Sequence, residues 1–297
     1  MDLFDQAGIK VSDIKTVSDL ITVGKAFHAK FPNSYIWNMG PTPAGYNGWE
    51  IMGAYPDPRF ATEDGKYVVT TNQCFADNFK FHKDIFDAKI ALPIDDWSTD
   101  WQKGFTDSAI CGSFIATWMK FFLPKFVPEQ KGKWKVDLWP VLQPLADQRY
   151  GSDAGGSVYV IFKKCPNPTL AVDYNNKMWL TKAGALAVYK AVGNTPAVKS
   201  ARDDFLSMAK NPQRPEGMSD DVWAVQPANF FGPDYFELEL KSYDYLKVFN
   251  FDPSATKEKP ILDQWLNKVL TGAASISEAL ANAQKDMESQ IGNPYKV

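Results

Sequence analysis

The side chains most often used in catalysis are scarce in this sequence of 297 residues, which contains only 2 histidines and 3 cysteines. Cys74, Cys111 and Cys165 are widely spaced and form no CxxC pair, so their pattern indicates neither a zinc site nor a disulfide framework. The sequence shows no phosphate loop, nucleophile elbow, HExxH helix, dinucleotide glycine fingerprint or EF-hand loop. We therefore expect no metal site, cofactor or catalytic triad.

Paired carboxylates are the one catalytic alternative that the sequence offers. A glycoside hydrolase needs two carboxyl groups that flank the scissile bond, and Glu50 with Asp95 or Asp96 could form such a pair. The spacing alone does not support this pairing, because solvated surface carboxylates would look the same. An enzyme that acts on saccharides stays open as an alternative function.

Aromatic side chains are abundant, with 10 Trp, 12 Tyr and 20 Phe. A sugar ring has an apolar face that stacks on such side chains and a rim of hydroxyls that needs polar partners. Tyr46, Trp49 and Phe114 fall in or beside predicted turns, where ligands are usually met. The composition thus favours holding a ligand over converting one.

The charge balance and the chain start exclude further classes. Lys and Arg number 32 against 35 acidic residues, so no basic excess exists to track a phosphate backbone, and nucleic acid is not an expected partner. The longest nearly apolar stretch, residues 109–119, is too short to span a bilayer. Residues 1–6 carry no signal-peptide pattern, so the chain as given would stay in the cytoplasm unless an upstream segment is missing.

Hydrophobic periodicity predicts helices near both ends of the chain. Thr16 and Asp19 fit a capping box that opens an amphipathic run. Apolar residues and His82 recur at helical spacing over 75–86, so we expect His82 to pack on that helix face. Pro260 is predicted at the first turn of a late helix, and Ser275 at the N-cap of the last one.

Strands are predicted between these helices. Residues 109–114 and 133–142 are expected to be strands, and residues 158–162, a β-branched and aromatic run, a strand buried on both faces. Asn167 then caps a helix that begins at Pro168. Strands that alternate with helices predict an α/β fold.

Several segments, in this order along the chain, resemble the family 1 extracellular solute-binding proteins of carbohydrate ABC transporters. They are DLFDQAGI at 2–9 with TVSDL at 16–20, Gly104 with 109–114, 133–142, Gly155-Gly156 with 158–162, NTPA at 194–197, and LTG at 270–272 with 275–280.

The resemblance implies the periplasmic-binding-protein-like type II fold, a discontinuous two-lobe α/β architecture that closes on its ligand. Residues 1–141 and 182–297 would form the second lobe, and 142–181 a fragment of a truncated first lobe. We expect that Met1 is an artificial start or that a separate chain supplies the remainder.

The resemblance also implies a substrate-binding component of an ABC importer that binds a sugar or oligosaccharide between its lobes and docks on a membrane permease. Such a protein would be a monomer located outside the cytoplasm, without a cofactor. Phe114 stands where the family has a sugar-stacking Trp, whereas Ser157 replaces a common aromatic residue, which leaves a degenerate sensor or scaffold as a second alternative. The ligand-binding residues implied are Tyr46, Trp49, Glu50, Phe114, Ser157, Phe231 and Tyr235.

Overall fold

A computed structural model of the protein describes residues 2–40, 57–138, 159–214, 216–246 and 252–296. The α-helices are α1 (Asp2–Ala7), α2 (Val17–Lys30), α3 (Gln73–Ala88), α4 (Thr99–Thr106), α5 (Leu123–Phe126), α6 (Pro168–Trp179), α7 (Lys182–Val192), α8 (Arg202–Lys210), α9 (Asp220–Ala224), α10 (Pro227–Phe231), α11 (Tyr235–Tyr243), α12 (Ala255–Leu270) and α13 (Ile276–Gln290). The strands are β1 (Trp37–Asn38) and β2 (Ala91–Leu92). None of the helices in these ranges combines the length and the apolar character that crossing a bilayer requires.

The chain divides into two compact units. The described part of the first unit runs up to Ala116 and resumes at Tyr245, and that of the second lies between Thr117 and Asp244. These boundaries differ from those of the predicted lobes, so the assignment of 1–141 with 182–297 to one lobe and 142–181 to the other stays a prediction.

The small sheet of the first unit is parallel. Trp37 pairs with Ala91 and Asn38 with Leu92, while Tyr35 forms a parallel bridge to Ile110. Helix α3 lies in sequence between β1 and β2, as expected of a crossover between parallel strands. Both strands therefore end at the same edge of the sheet.

The predicted helix starts in this unit are confirmed by their hydrogen bonds. The Thr16 hydroxyl accepts from the Asp19 backbone N–H at 3.0 Å, and Asp19 Oδ2 accepts from the Thr16 N–H at 2.9 Å, which completes the capping box of α2. Ser275 and Glu278 form the same reciprocal cap on α13. Each cap satisfies N–H groups that a helix leaves without an internal partner.

Helix α3 supplies much of the core of the first unit. Its Phe75, Phe79 and Phe81 are fully buried. His82 is also buried, as predicted, and its Nδ1 lies 2.8 Å from the Asn78 carbonyl oxygen. Burial lowers the pKa of His82 to about 4, so the ring packs in its neutral form.

A buried ion pair organises the second unit. Lys120 Nζ lies 2.7 Å from Glu239 Oε1 and donates to the Thr195 hydroxyl at 2.7 Å. The Tyr243 hydroxyl donates to the same carboxylate at 2.8 Å. The pair joins the 3₁₀ turn 117–121 to α11, and leaving either charge alone in this apolar setting would cost about 3–5 kcal/mol.

The strand predictions for 109–114, 133–142 and 158–162 are wrong over the described residues. Only Ile110 bridges to another segment, and 134–138 and 159–162 have no regular structure. Residues 159–162 are also exposed, contrary to the expected burial on both faces. A buried strand needs neighbours that satisfy its backbone groups on both edges, and the described residues place none there.

The predicted helix at Pro168 is confirmed, since the Asn167 side chain accepts from the Leu170 N–H at 3.2 Å. The prediction for Pro260 is wrong, because α12 begins at Ala255 and Pro260 lies inside the helix. The turn before Ala255, where Asp252 Oδ1 accepts from the Ser254 N–H at 2.9 Å, starts the helix earlier than Pro260 suggests.

A buried acid sits in the first turns of α12. Both carboxyl oxygens of Glu258 are buried and have no hydrogen-bond partner in the described structure, and the same holds for the Tyr67 hydroxyl. Burial raises the pKa of Glu258 to about 8, and the charge of Asp252 adds to the effect. Glu258 is therefore folded as the neutral acid at pH 7.

The Glu258→Gln variant should remove a pH dependence of stability. A raised folded-state pKa stabilises fully below the ordinary value of 4.5, and this contribution is lost as pH rises toward 8. The free energy of unfolding should fall with pH between 5 and 8 by up to about 1.4 kcal/mol per unit, and less steeply in the variant. Urea denaturation at pH 5, 6, 7 and 8 measures both slopes.

The exposed Glu288→Gln variant serves as the control and should keep the slope of the parent protein. Equal slopes in the parent and in Glu258→Gln would contradict a buried neutral Glu258.

Candidate ligand-binding site

The carboxyl edge of the small parallel sheet is the candidate site. Ligands of open α/β sheets bind outside the carboxyl ends of the strands. Beyond β1 and β2 this edge carries Asn38, Gly40 and the segment 94–98, all within the first unit.

The side-chain amide of Asn38 holds this edge together. It is 1 % exposed, and its Nδ2 donates to the Ile94 carbonyl at 3.1 Å and to Asp96 Oδ1 at 2.6 Å. Its Oδ1 accepts from the indole N–H of Trp101 at 3.3 Å. One amide thus joins β1, the segment after β2 and helix α4.

The two neighbouring carboxylates occupy different environments. Burial raises the pKa of Asp96, against the hydrogen bond from Asn38, and the charge of Asp95 raises it further. Asp95 is exposed and passes so close to Gly40 that a Cβ there would lie 1.6 Å from Asp95 Oδ1. Asp96 is therefore a positioning group, whereas Asp95 presents a carboxylate at the surface of the edge.

Trp97 presents the largest apolar surface of the edge. Its indole is 45 % exposed, and its ring packs at 5.3 Å and 48° against the buried ring of Trp101. Its backbone has φ 65°, a left-handed conformation that is uncommon for a bulky residue.

Hydrogen bonds on either side hold Trp97 in this conformation. The Ser98 hydroxyl donates to the Asp95 carbonyl at 2.8 Å and accepts from the Trp101 N–H at 3.0 Å as the N-cap of α4. A strained residue persists only where its surroundings over-determine it, and such residues cluster at functional sites. The segment therefore offers a rigid, exposed indole beside a carboxylate, which suits stacking on an apolar ring face with a polar rim.

Phe114 lies close to this edge. It is half-buried, and its ring meets the buried ring of Trp37 edge-on, with the centroids 4.5 Å apart and the planes at 87°. Trp37 directly precedes Asn38. The structure thus places Phe114 against β1, and its predicted role in stacking stays a prediction.

Phe231 and Tyr235 belong to the second unit. Their rings stack with centroids 4.9 Å apart, and Tyr235 is 5 % exposed. The Tyr235 hydroxyl donates to the Thr117 carbonyl at 3.3 Å. The buried hydroxyl gives Tyr235 a packing role, and its ligand contact is untested, as is that of the half-buried Phe231.

The other predicted residues, Tyr46, Trp49, Glu50 and Ser157, lie outside the described residues. The carboxylate pair of Glu50 with Asp95 or Asp96 is therefore also untested. Sequence reasoning missed Asn38 and Trp97. The signal for Trp97 was its position directly before Ser98, the N-cap of α4.

Comparison with known proteins adds to this geometry. The family model described as bacterial extracellular solute-binding protein matches residues 1–216. The chain belongs to the bacterial extracellular solute-binding proteins. This confirms the predicted resemblance and places the protein in a family of extracellular binding proteins. No curated protein matches the chain in sequence.

Solved solute-binding proteins share the fold. The ABC transporter associated binding protein of B. animalis subsp. lactis, in complex with β-1,6-galactobiose, aligns with 99 % of this chain at 24 % identity and a TM-score of 0.74. The galacto-N-biose/lacto-N-biose I-binding protein of Bifidobacterium longum, in complex with lacto-N-biose, aligns with 98 % at 17 % identity and 0.68. The sugar-binding protein MalE of Xanthomonas citri aligns with 97 % at 15 % identity and 0.69.

These likenesses confirm the predicted fold class. The solute-binding chain described here spans 70 %, 66 % and 66 % of the length of the three structures, or about two thirds.

The contact of Gly40 with Asp95 is open to a double-mutant test. Gly40→Ala should destabilise the protein by about 1–3 kcal/mol, because the new methyl group overlaps the Asp95 carboxylate. In the Asp95→Ala background the same change should cost much less, so the two substitutions should be non-additive. Thermal or urea unfolding of the four proteins measures the coupling, and additive effects would contradict the contact.

Proposed function

We propose that this solute-binding protein is the substrate-binding component of an ABC importer and that it binds a sugar or oligosaccharide at the carboxyl edge. The single observation that supports the proposal most is the exposed indole of Trp97, fixed beside Asp95 on a segment that Asn38 holds in place. The sugar complexes of structural neighbours support the ligand class.

The chemistry of recognition needs no reaction step. The Trp97 face would take the C–H face of a pyranose ring, and the carboxylate of Asp95 would accept hydrogen bonds from ring hydroxyls. Phe114 would add a second apolar surface, and Tyr46, Trp49, Glu50, Ser157, Phe231 and Tyr235 are proposed as further ligand contacts. We propose a monomer that delivers the sugar to a membrane permease.

Calorimetric titration tests this proposal. β-1,6-Galactobiose, lacto-N-biose and maltose, with an amino acid as the negative control, form the ligand panel. We expect at least one saccharide to bind without release of monosaccharide, and none of the amino acid. Monosaccharide release would support the enzyme with a carboxylate pair, whereas no binding to any sugar would favour the sensor or scaffold.

Trp97→Ala should weaken the binding of that saccharide. Loss of a stacking platform is worth about 1.5–2 kcal/mol, or roughly 10- to 30-fold in Kd. The control variant is Tyr295→Ala, which removes another exposed aromatic ring of the same unit, 41 % exposed, and should leave Kd unchanged. Equal Kd values for the parent and Trp97→Ala would place the sugar elsewhere.

A further inference from the structure

An apolar surface in the second unit is exposed along a continuous run of chain. Tyr159, Val160, Ile161 and Phe162 are 58 %, 66 %, 36 % and 77 % exposed. The run is β-branched and aromatic, the composition of a buried strand. Monomeric proteins rarely leave contiguous apolar patches of this kind uncovered.

The backbone of this run is open as well. Among the described residues, the backbone groups of 159–161 take part in no backbone hydrogen bond, and the first bond nearby is from the Cys165 N–H to the Phe162 carbonyl at 2.9 Å. An extended apolar run without a neighbouring strand is a template for strand addition.

Helix α6 extends the same surface. The Tyr159 ring packs at 5.3 Å against that of Trp179 at the end of α6. Leu170 and Tyr174, one turn apart on one face, are 61 % and 62 % exposed. No residue of α6 is buried. We call residues 159–162 together with Leu170 and Tyr174 the 159–174 face.

The surface belongs to a firmly packed helix pair. Helix α6 packs against α7 so closely that a Cβ at Gly184 would lie 2.0 Å from the Lys177 carbonyl oxygen. The contact with α7 thus fixes one side of α6, while its apolar side chains point elsewhere. A rigid apolar surface loses little conformational entropy when a partner covers it.

The solved relatives indicate what covers such a surface. They match 97–99 % of this chain, but the match takes up only 66–70 % of their own length. The rest of their length is polypeptide of the same fold that has no counterpart among these 297 residues. A fold of strands and helices can supply both a strand edge and an apolar layer.

We propose that the 159–174 face is the docking surface for a further stretch of solute-binding-protein chain, which adds a strand beside Tyr159–Phe162 and covers helix α6. Its chemistry is that of an apolar strand whose N–H and C=O groups pair with those of 159–161. The docking is independent of whether the protein binds a sugar.

Hydrogen exchange on two proteins tests the proposal. One is the chain itself. The other is the chain fused, through a cleavable flexible linker, to the unmatched part of the B. animalis protein, because the linker provides a high effective concentration. We expect the amides of 159–162 to exchange freely in the isolated monomer, and to slow by orders of magnitude in the fusion. Binding of the apolar dye ANS should fall in parallel.

The variant Val160→Lys with Phe162→Lys should remove this protection in the fusion. The matched control is Leu246→Lys, at an exposed apolar residue outside the face, which should leave it intact. Protected amides at 159–162 in the isolated monomer would overturn the proposal, as would a fusion without protection. A concentration-dependent dimer that the double variant abolishes in analytical ultracentrifugation would overturn it in favour of a second copy.

Discussion

The side-chain amide of Asn38 is the interaction on which the carboxyl edge depends. It is buried, and a buried amide is costly unless its groups are paired. Its three partners belong to the segment after β2 and to helix α4, so satisfying one side chain also places both elements. The left-handed backbone of Trp97 and its exposed indole follow from that placement, because Ser98 caps α4 directly behind it.

The second unit solves the same problem with charge instead of an amide. Lys120 and Glu239 are 4 % and 3 % exposed, and Thr195 and Tyr243 complete their hydrogen bonds. Burial lowers the pKa of Lys120 while Glu239 opposes that shift, so the pair is stable only as a pair. In both units a buried polar group fixes where distant segments of the chain meet.

The helices could be predicted from the sequence because their signals are local. The capping boxes at Thr16 and Ser275 and the helical spacing around Phe75 lie within a few residues of the elements that they start or fill. Strands depend on partners elsewhere in the chain, so the β-branched run 158–162 did not reveal that its described residues would be exposed. The site divides in the same way: Phe114 could be named from a family resemblance, whereas Asn38 and Trp97 acquire their roles only through contacts between separate segments.

The central claim is that the edge held by Asn38 is where a sugar binds, and ¹⁹F NMR of the protein labelled with 5-fluorotryptophan tests it most directly. The Trp97→Phe variant assigns one of the 10 tryptophan resonances. On titration with β-1,6-galactobiose, lacto-N-biose or maltose, the Trp97 resonance should shift in a saturable way, while that of Trp265, whose indole N–H donates to Asp286 at 2.7 Å, stays in place. Saturable shifts of other tryptophans with an unchanged Trp97 resonance would contradict the account.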